Sequence, residues 1–303
     1  MVSTAPLPRL VVSAETAGLG NRIKSWVSAM RLGPDVRVHW PVTPNMPARF
    51  EDLFAGGHSI DAIPPGAVVY KSWRLAVLPE DEPHLPRGFA TVGAGAHPVI
   101  RGIGKAWWSL RGRPTDRYRF MLFPKQHSQR STRADARHID LEYERIPEAI
   151  RRTYAALFRG IAVQPHVAVR ADDWARANLE DDVIGVQVRT WRDDPRRERK
   201  YHKPAVRRLE RLMNDARAAR FFVVSDSDEV VAALQAQYGA ARILHFPRTT
   251  TRRDSWRSPD GVVEDFIDML LLARTHTLFA SYLSTFSEAA WWLGGATARV
   301  KVF

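Results

Sequence analysis

Four groups of side chains in the second half of the chain could do chemistry. Arg189 ends the apolar run Val183-Ile184-Gly185-Val186-Gln187-Val188 and opens a dense tract of charge that continues to Lys200. A guanidinium delivered at a strand end is a fork for phosphate oxygens. A structural ion pair with Asp193 or Asp194 would use the same group, and the local sequence supports both readings. Ser225-Asp226-Ser227-Asp228 follows a second apolar run, 221–224. Asp-x-Asp spacing can hold a divalent metal, and Asp228 also suits the start of a helix. Ser284-Thr285-Phe286-Ser287 precedes an apolar helical pattern. Hydroxyls and free amides at a helix start form an anion site. For Ser284 alone, N-capping with Glu288 in the first turn is the better reading. Arg189 and this helix start are expected to face one cleft along the C-terminal edge of a sheet, which favours anion binding for the set. Lastly, Asp265 and Asp268, among Phe266, Ile267, Met269 and Leu270, are expected to face solvent, one of them reaching the cleft.

The elements that must position these groups alternate cleanly. Strands are expected at 183–189, 221–225, 242–246, 277–281 and 298–302, with helices at 203–217, 228–238, 262–274 and 285–293. Short apolar strands separated by helices imply a parallel sheet covered on both faces. Right-handed crossovers make it Rossmann-like. The first half opens in the same way. A strand at 9–13 leads into the turn Ala17-Gly18-Leu19-Gly20-Asn21-Arg22. Ile23, Trp26, Val27, Met30 and Leu32 then recur at helical spacing before Gly33-Pro34, and a strand follows at 36–40. The turn is not G-x-G-x-x-G and no acid stands at the ribose position, which disfavours a dinucleotide site. Residues 50–54 read as a short helix and 67–70 as a strand. The stretch 79–135, rich in Pro, Gly and Arg and carrying Trp107-Trp108, reads as solvated surface, a binding loop or a membrane-facing patch. An amphipathic helix is expected over 146–158, with Pro147 at its start. We expect two α/β domains, over 1–165 and 166–303.

Composition bounds the function. The chain has 303 residues, 45 % hydrophobic, enough for two cores of ordinary size. With no cysteine there is neither a disulfide framework nor a thiolate nucleophile. The first residues lack the apolar core of a signal peptide, and no apolar run is long enough to cross a membrane. A cytoplasmic location is therefore expected. The net charge of +12, carried by 38 arginines and seven lysines, favours anionic partners. No RNA-binding sheet, helix-turn-helix or zinc-finger pattern accompanies it, so no specific nucleic acid is expected.

The motifs in this order resemble the fucosyltransferase superfamily, above all the α1,6-fucosyltransferases, including the bacterial (rhizobial) nodulation enzymes, with features of the α1,2- and protein O-fucosyltransferases. Gly18-Leu19-Gly20-Asn21-Arg22 resembles the family's glycine–asparagine motif. Gly185-Val186-Gln187-Val188-Arg189-Thr190 resembles its His-x-Arg motif. Phe222-Val223-Val224-Ser225-Asp226 resembles the next strand and its acidic end. The stretches 268–273 and 284–293 resemble the C-terminal donor motif. The resemblance implies a GT-B-like α/β fold of two Rossmann-like halves facing a central cleft. It also implies inverting transfer of fucose or a related sugar from a GDP-sugar, with no metal and no cofactor beyond the donor substrate. Arg189 would hold the β-phosphate. The main chain near Gln187 and the Asp268 side chain would read guanine. Ser284, Thr285 and Ser287 would bind phosphate or ribose, with Phe286, Asp226 and Gly20 also in the donor site, and Asn21 would lie beside the reacting sugar. Glu198, with His202 four residues on, would be the base. Gln187 stands for the family's histidine and Thr190 for the second arginine of the α1,6 enzymes, so the resemblance points to GDP more firmly than to fucose.

The expected partners are the GDP-sugar, a glycan, lipid-linked or small-molecule acceptor, and a membrane surface met peripherally by basic side chains. Two other classes fit parts of the pattern. One is a non-catalytic basic α/β module that binds nucleotide, nucleic acid or a phosphorylated glycan. The other is a metal-dependent sugar-nucleotide enzyme using Asp226 and Asp228.

Overall fold

The computed structural model describes residues 10–85, 123–124, 137–139, 143–180 and 182–303. Their α/β architecture divides into two units, the described parts of Met1–Pro41 with Gly56–Gly160, and Val42–Ala55 with Ile161–Phe303. The expectations for Trp107, Trp108 and the basic run 111–119 lie outside the described residues.

The first unit is built on a parallel sheet of β1 (Val11–Ser13), β2 (Val36–His39), β3 (Ser59–Ile60) and β4 (Val68–Tyr70), in the order β3-β2-β1-β4. Helix α1 (Leu19–Met30) follows β1 and buries Ile23, Trp26 and Val27. A small antiparallel sheet, β5 (Leu75–Val77), β6 (Phe123–Pro124) and β7 (Arg137–Ile139), runs β5-β7-β6. β5 and β7 flank the 79–135 stretch, whose Pro, Gly and Arg content gives no periodic signal, and β6 lies within it.

In the second unit the strands form where the apolar runs predict them. They are β8 (Val183–Val188), β9 (Arg220–Ser225), β10 (Ile243–Leu244), β11 (Thr277–Ala280) and β12 (Arg299–Val302). All pairs are parallel, in the order β10-β9-β8-β11-β12. Strand order reverses between β8 and β11. This switch point is where open α/β sheets bind ligands, outside the carboxyl ends of their strands. On one face, Val186, Val188, Phe221, Val223 and Phe279 pack with Leu209 and Met213 of the helix Lys203–Asp215 and with Val231 and Leu234 of the helix Asp228–Tyr238. The other face of β8 carries Gly185 and Gln187, by the two-residue period of a strand. A Cβ at Gly185 would lie 2.5 Å from Thr275 Oγ1 and 3.1 Å from Leu272 Cδ2, so glycine lets the strand approach the end of the helix Pro259–Leu272.

That helix is seated by a second close approach. A Cβ at Gly261 would stand 2.1 Å from the Ser255 carbonyl oxygen. Backbone cannot yield as a flexible side chain does. Gly261→Ala is therefore expected to cost about 3 kcal/mol, read as a lower urea midpoint at unchanged slope. An unchanged midpoint would mean that the 255–258 turn moves freely.

Candidate functional site

Arg189 is the first residue beyond β8, and three contacts set it in place. Its backbone N–H donates to Ser281 Oγ (2.8 Å), and the Ser281 hydroxyl donates to the Gln187 carbonyl (3.0 Å). Ser281 follows β11, so one hydroxyl ties together the two strand ends at the switch point. The guanidinium Nη1 lies 3.1 Å from Asp226 Oδ2, at the end of β9. The other oxygen of Asp226 accepts from the Thr190 N–H (2.9 Å). The ion pair read locally to Asp193 or Asp194 is thus corrected. Arg189 pairs with Asp226, while Asp194 caps the turn Pro195–Arg197 and pairs with Arg197 (3.2 Å). Parallel pairing of β8 with β9 brings residues 37 apart side by side. Asp226 orients the arginine without burying it, since the Arg189 side chain is 46 % exposed. A half-exposed, braced guanidinium can accept an anion on its open side.

Both acids of the Asp-x-Asp are committed in this way. Asp228 accepts from the Arg252 N–H (2.9 Å) and lies 3.8 Å from Arg252 Nη1. Among the described residues, no cluster of three or more His, Cys, Asp or Glu could hold a metal. Arg192 donates to the Asp226 carbonyl and to the Arg253 carbonyl, stapling the loop after β8 to the 248–254 segment.

Beyond Arg189 the chain enters a short helical turn, Pro195–Arg197, and then a π-turn over Glu198–His202, in which the Lys203 N–H reaches back to the Glu198 carbonyl. Such widened turns recur at functional sites. Tyr201 seats it, with its ring 5.9 Å from Trp191 and 5.7 Å from Tyr282. Arg189 lies over the Trp191 ring at 5.3 Å. Trp191 and Leu283 hold φ near 58°, a costly conformation for bulky residues, in the two loops that flank the switch point. Burial lowers the His202 pKa, opposed by the Asp226 and Glu198 carboxylates and by a backbone contact to Arg189. The π-turn therefore carries His202 toward Arg189 and Asp226, with Glu198 within electrostatic reach of His202.

Ser284 caps the helix Thr285–Leu293. Its hydroxyl accepts from the Ser287 N–H (3.4 Å), and Ser287 Oγ donates back to the Ser284 carbonyl (3.1 Å). Both serines are buried, whereas Thr285 and Phe286 are partly exposed. The capping reading of Ser284 therefore holds, and the outward positions at this helix start are Thr285 and Phe286.

Asp268 departs from expectation. It is 0 % exposed rather than solvent-facing, and Asp265 is half-buried beside it. Arg248, itself buried, donates to Asp268 Oδ2 (2.8 Å), to Asp265 Oδ1 (2.8 Å) and to the Gly261 carbonyl (3.1 Å). Its Nε lies 3.4 Å from Glu264 Oε2. Glu264 in turn accepts from the Thr249 N–H and hydroxyl (2.7 Å each) and from the N–H and hydroxyl of Thr250. Burial opposes the ionised Glu264, but these bonds outweigh it and hold its pKa below the ordinary value. Burial pushes the Asp268 carboxyl up to about 6, against the charges of Arg248 and Arg252. The helix Pro259–Leu272 is apolar almost all round, with Val262, Val263, Phe266, Ile267, Met269, Leu271 and Leu272 buried. It leaves its acids no wet face, so a counter-ion comes to them.

Gln187, Arg189, Thr190, Asp226 and Ser281 are thus brought together at the switch point, with the π-turn beside them. Gly20 and Asn21 belong to the other unit, in the first turn of α1, where Asn21 Oδ1 is buried without a hydrogen-bond partner among the described residues. Arg22 next to them serves the fold. It donates to the carbonyls of Ala17 (2.9 Å), Pro41 (3.0 Å) and Thr16 (3.2 Å), and burial lowers its pKa to about 10. Sequence reasoning missed Ser281, Arg248, Arg252 and Glu264. Only Ser281 had a signal, as the polar residue at the end of an apolar strand.

No protein-family model matches the chain, and no curated protein sequence does. Among the described residues no helix is long and apolar enough to cross a membrane. Solved structures do match. NodZ α1,6-fucosyltransferase soaked with GDP-fucose is 19 % identical, with 94 % of this chain and 92 % of that chain covered and a TM-score of 0.51. The fucosyltransferase NodZ from Bradyrhizobium aligns at 19 % identity over 93 % and 91 %, again at 0.51. POFUT1 in complex with GDP lies further away, at 12 % identity over 99 % of both chains and a TM-score of 0.47. The likeness expected from the four motifs is borne out at the level of the fold: the chain has the GT-B-like α/β fold of the fucosyltransferase NodZ.

Proposed function

We propose that the chain is a glycosyltransferase that moves fucose, or a related sugar, from a GDP-sugar to a hydroxyl of a glycan, lipid-linked or small-molecule acceptor. The observation that carries this reading is Arg189, braced by Asp226 and Ser281 at the switch point of a fold shared with NodZ. Cleavage of the sugar–phosphate bond leaves its electron pair on the β-phosphate. Arg189 meets that charge as it develops, where fixed donors lower a barrier most. Glu198 takes the proton of the acceptor hydroxyl as its oxygen attacks the anomeric carbon from the opposite side, so the configuration inverts in one displacement. Asp226, bound to both Arg189 and the Thr190 N–H, keeps the arginine in place. No step needs an enzyme nucleophile or a metal.

GDP and GDP-fucose should each raise the melting temperature in proportion to occupancy. Glu198→Gln should keep that shift while GDP release with an acceptor mixture falls about 100-fold or more. No response to GDP at millimolar concentration would sink the reading. A Glu198→Gln variant of normal turnover would remove Glu198 from it.

A further inference from the structure

The tract beyond Arg189 holds far more positive charge than one anion site can use. Residues 196–211 carry six arginines and two lysines against Glu198 and Glu210, a net charge of +6 and half of the chain's +12. The helix Lys203–Asp215 buries Ala205, Leu209 and Met213. Lys203, Arg207 and Arg211, each four residues from the next, line its opposite, exposed side. Arg196 and Arg199, in the turns that lead into this helix, are exposed as well.

None of these five cations meets a carboxylate among the described residues. Arg199 and Arg211 each give one N–H to a carbonyl of their own turn, that of Pro195 (3.3 Å) and that of Arg207 (3.4 Å), and keep their other donors open. Glu210 and Asp215 stand three and four residues after Arg207 and Arg211, within reach of helical ion pairs, yet form none. Arginines elsewhere in this unit are answered: Arg176 by Asp173, Arg220 by Glu180, Arg257 by Asp254 and Arg274 by Asp172. Like charges held along one helix repel, and an anionic surface relieves that repulsion.

Two further features select a bilayer. Pro204 and Val206 lie exposed between Lys203 and Arg207, and Val206 is one of three exposed large apolar side chains among the described residues. Aliphatic groups set among cations suit the boundary between headgroups and acyl chains. A single-stranded nucleic acid instead needs open aromatic faces for its bases. The nearest rings, Trp191 and Tyr201, are packed on each other and on Tyr282, with Arg189 and Arg197 over Trp191.

We propose that the face running from Arg196 to Arg211 docks on an anionic phospholipid bilayer, with its guanidinium groups on lipid phosphates and Val206 at the headgroup boundary. The π-turn over Glu198–His202 joins this face to the Arg189 loop. Docking therefore sets that loop beside the bilayer, where a lipid-linked molecule presents the acceptor hydroxyl. This choice of acceptor rests on the glycosyltransferase reading above, whereas the docking stands without it.

Sedimentation of the whole chain with phosphatidylcholine vesicles, with and without about a third phosphatidylserine, tests this. The chain should bind the anionic vesicles alone, about tenfold or more weaker when salt rises from about 0.05 M to about 0.3 M. Reversal of one stripe, Lys203→Glu with Arg207→Glu and Arg211→Glu, should weaken binding about 100-fold. Reversal of three other exposed cations, Arg152→Glu with Arg176→Glu and Arg299→Glu, changes the net charge equally and should leave most of the binding. Every substituted side chain is exposed, so both variants should melt close to the wild type. Equal loss in the two variants would reduce the effect to net charge and overturn the assignment of the face. Binding indifferent to phosphatidylserine, or no binding, would overturn the docking. Tighter binding of a single-stranded oligonucleotide than of anionic vesicles at equal ionic strength would make nucleic acid the occupant and overturn it too. The melting-temperature shift with GDP, read on the same samples, separates the two readings. Loss of vesicle binding with the GDP shift intact removes the docking alone, and vesicle binding without a GDP shift removes the glycosyltransferase reading alone.

Discussion

Arg248→Met is expected to cost about 3–5 kcal/mol of stability at pH 7.5. Arg248 is the shared counter-charge of Glu264, Asp265 and Asp268, two of which are almost wholly buried. Removing it leaves carboxylates in the interior without a cation, and a broken buried pair costs far more than an intact one contributes. The pH dependence has a definite sign. Burial already raises the Asp268 pKa to about 6, so the folded chain takes up that proton before the unfolded chain does as pH falls. Without Arg248 the pKa rises further. Stability charged against an ionised Asp268 is thus recovered on acidification through that window, and the deficit of the variant should shrink between pH 7.5 and pH 5. Asp268→Leu added to Arg248→Met should restore part of the loss at pH 7.5, since an apolar pair needs no counter-ion. Urea denaturation at both pH values checks this. A variant within about 1 kcal/mol of the wild type at pH 7.5 would show that the carboxylates find other partners.

This network also marks the limit of what the sequence makes legible. Arg248 stands 16 to 20 residues before its partners, in a loop with no periodic pattern, and no spacing rule joins them. A second signal was present but read the other way. Asp265 and Asp268 are charged residues three apart on a helix, which ordinarily means a solvent face. Their apolar neighbours lie on every side of that helix, a pattern that belongs to a buried one.

The parallel sheet around β8 was legible because each strand is a short apolar run bounded by polar residues, and each crossover is a helix with its own period. Strand order was not. The neighbours β8 and β11 are far apart in the chain, and their adjacency makes Ser281 the support of Arg189. The antiparallel trio β5-β7-β6 was illegible for a related reason, since Leu75 pairs with Ile139 across a segment whose composition announces no strand. Arg189 itself was visible as a strand-end arginine. Its brace, Asp226, was visible only as a second strand end, and pairing of β8 with β9 joined the two.

Arg189→Ala is expected to weaken GDP binding about 100-fold or more while leaving the fold intact. The guanidinium is the braced cation at the switch point, and charge-assisted bonds to phosphate are worth about 1.5–3 kcal/mol each. Stability should change little, because the side chain is half exposed and Asp226 keeps its bond from the Thr190 N–H. Arg189→Lys keeps the charge but loses the fork, and should recover only part of the affinity. The comparison of GDP with GMP locates the contact. If Arg189 grips the β-phosphate, the wild type prefers GDP to GMP, and Arg189→Ala binds both with the weaker affinity of GMP. A uniform loss for the two nucleotides would move Arg189 away from the β-phosphate. A variant that bound GDP as tightly as the wild type would leave the Asp226–Arg189 pair as a structural bridge alone.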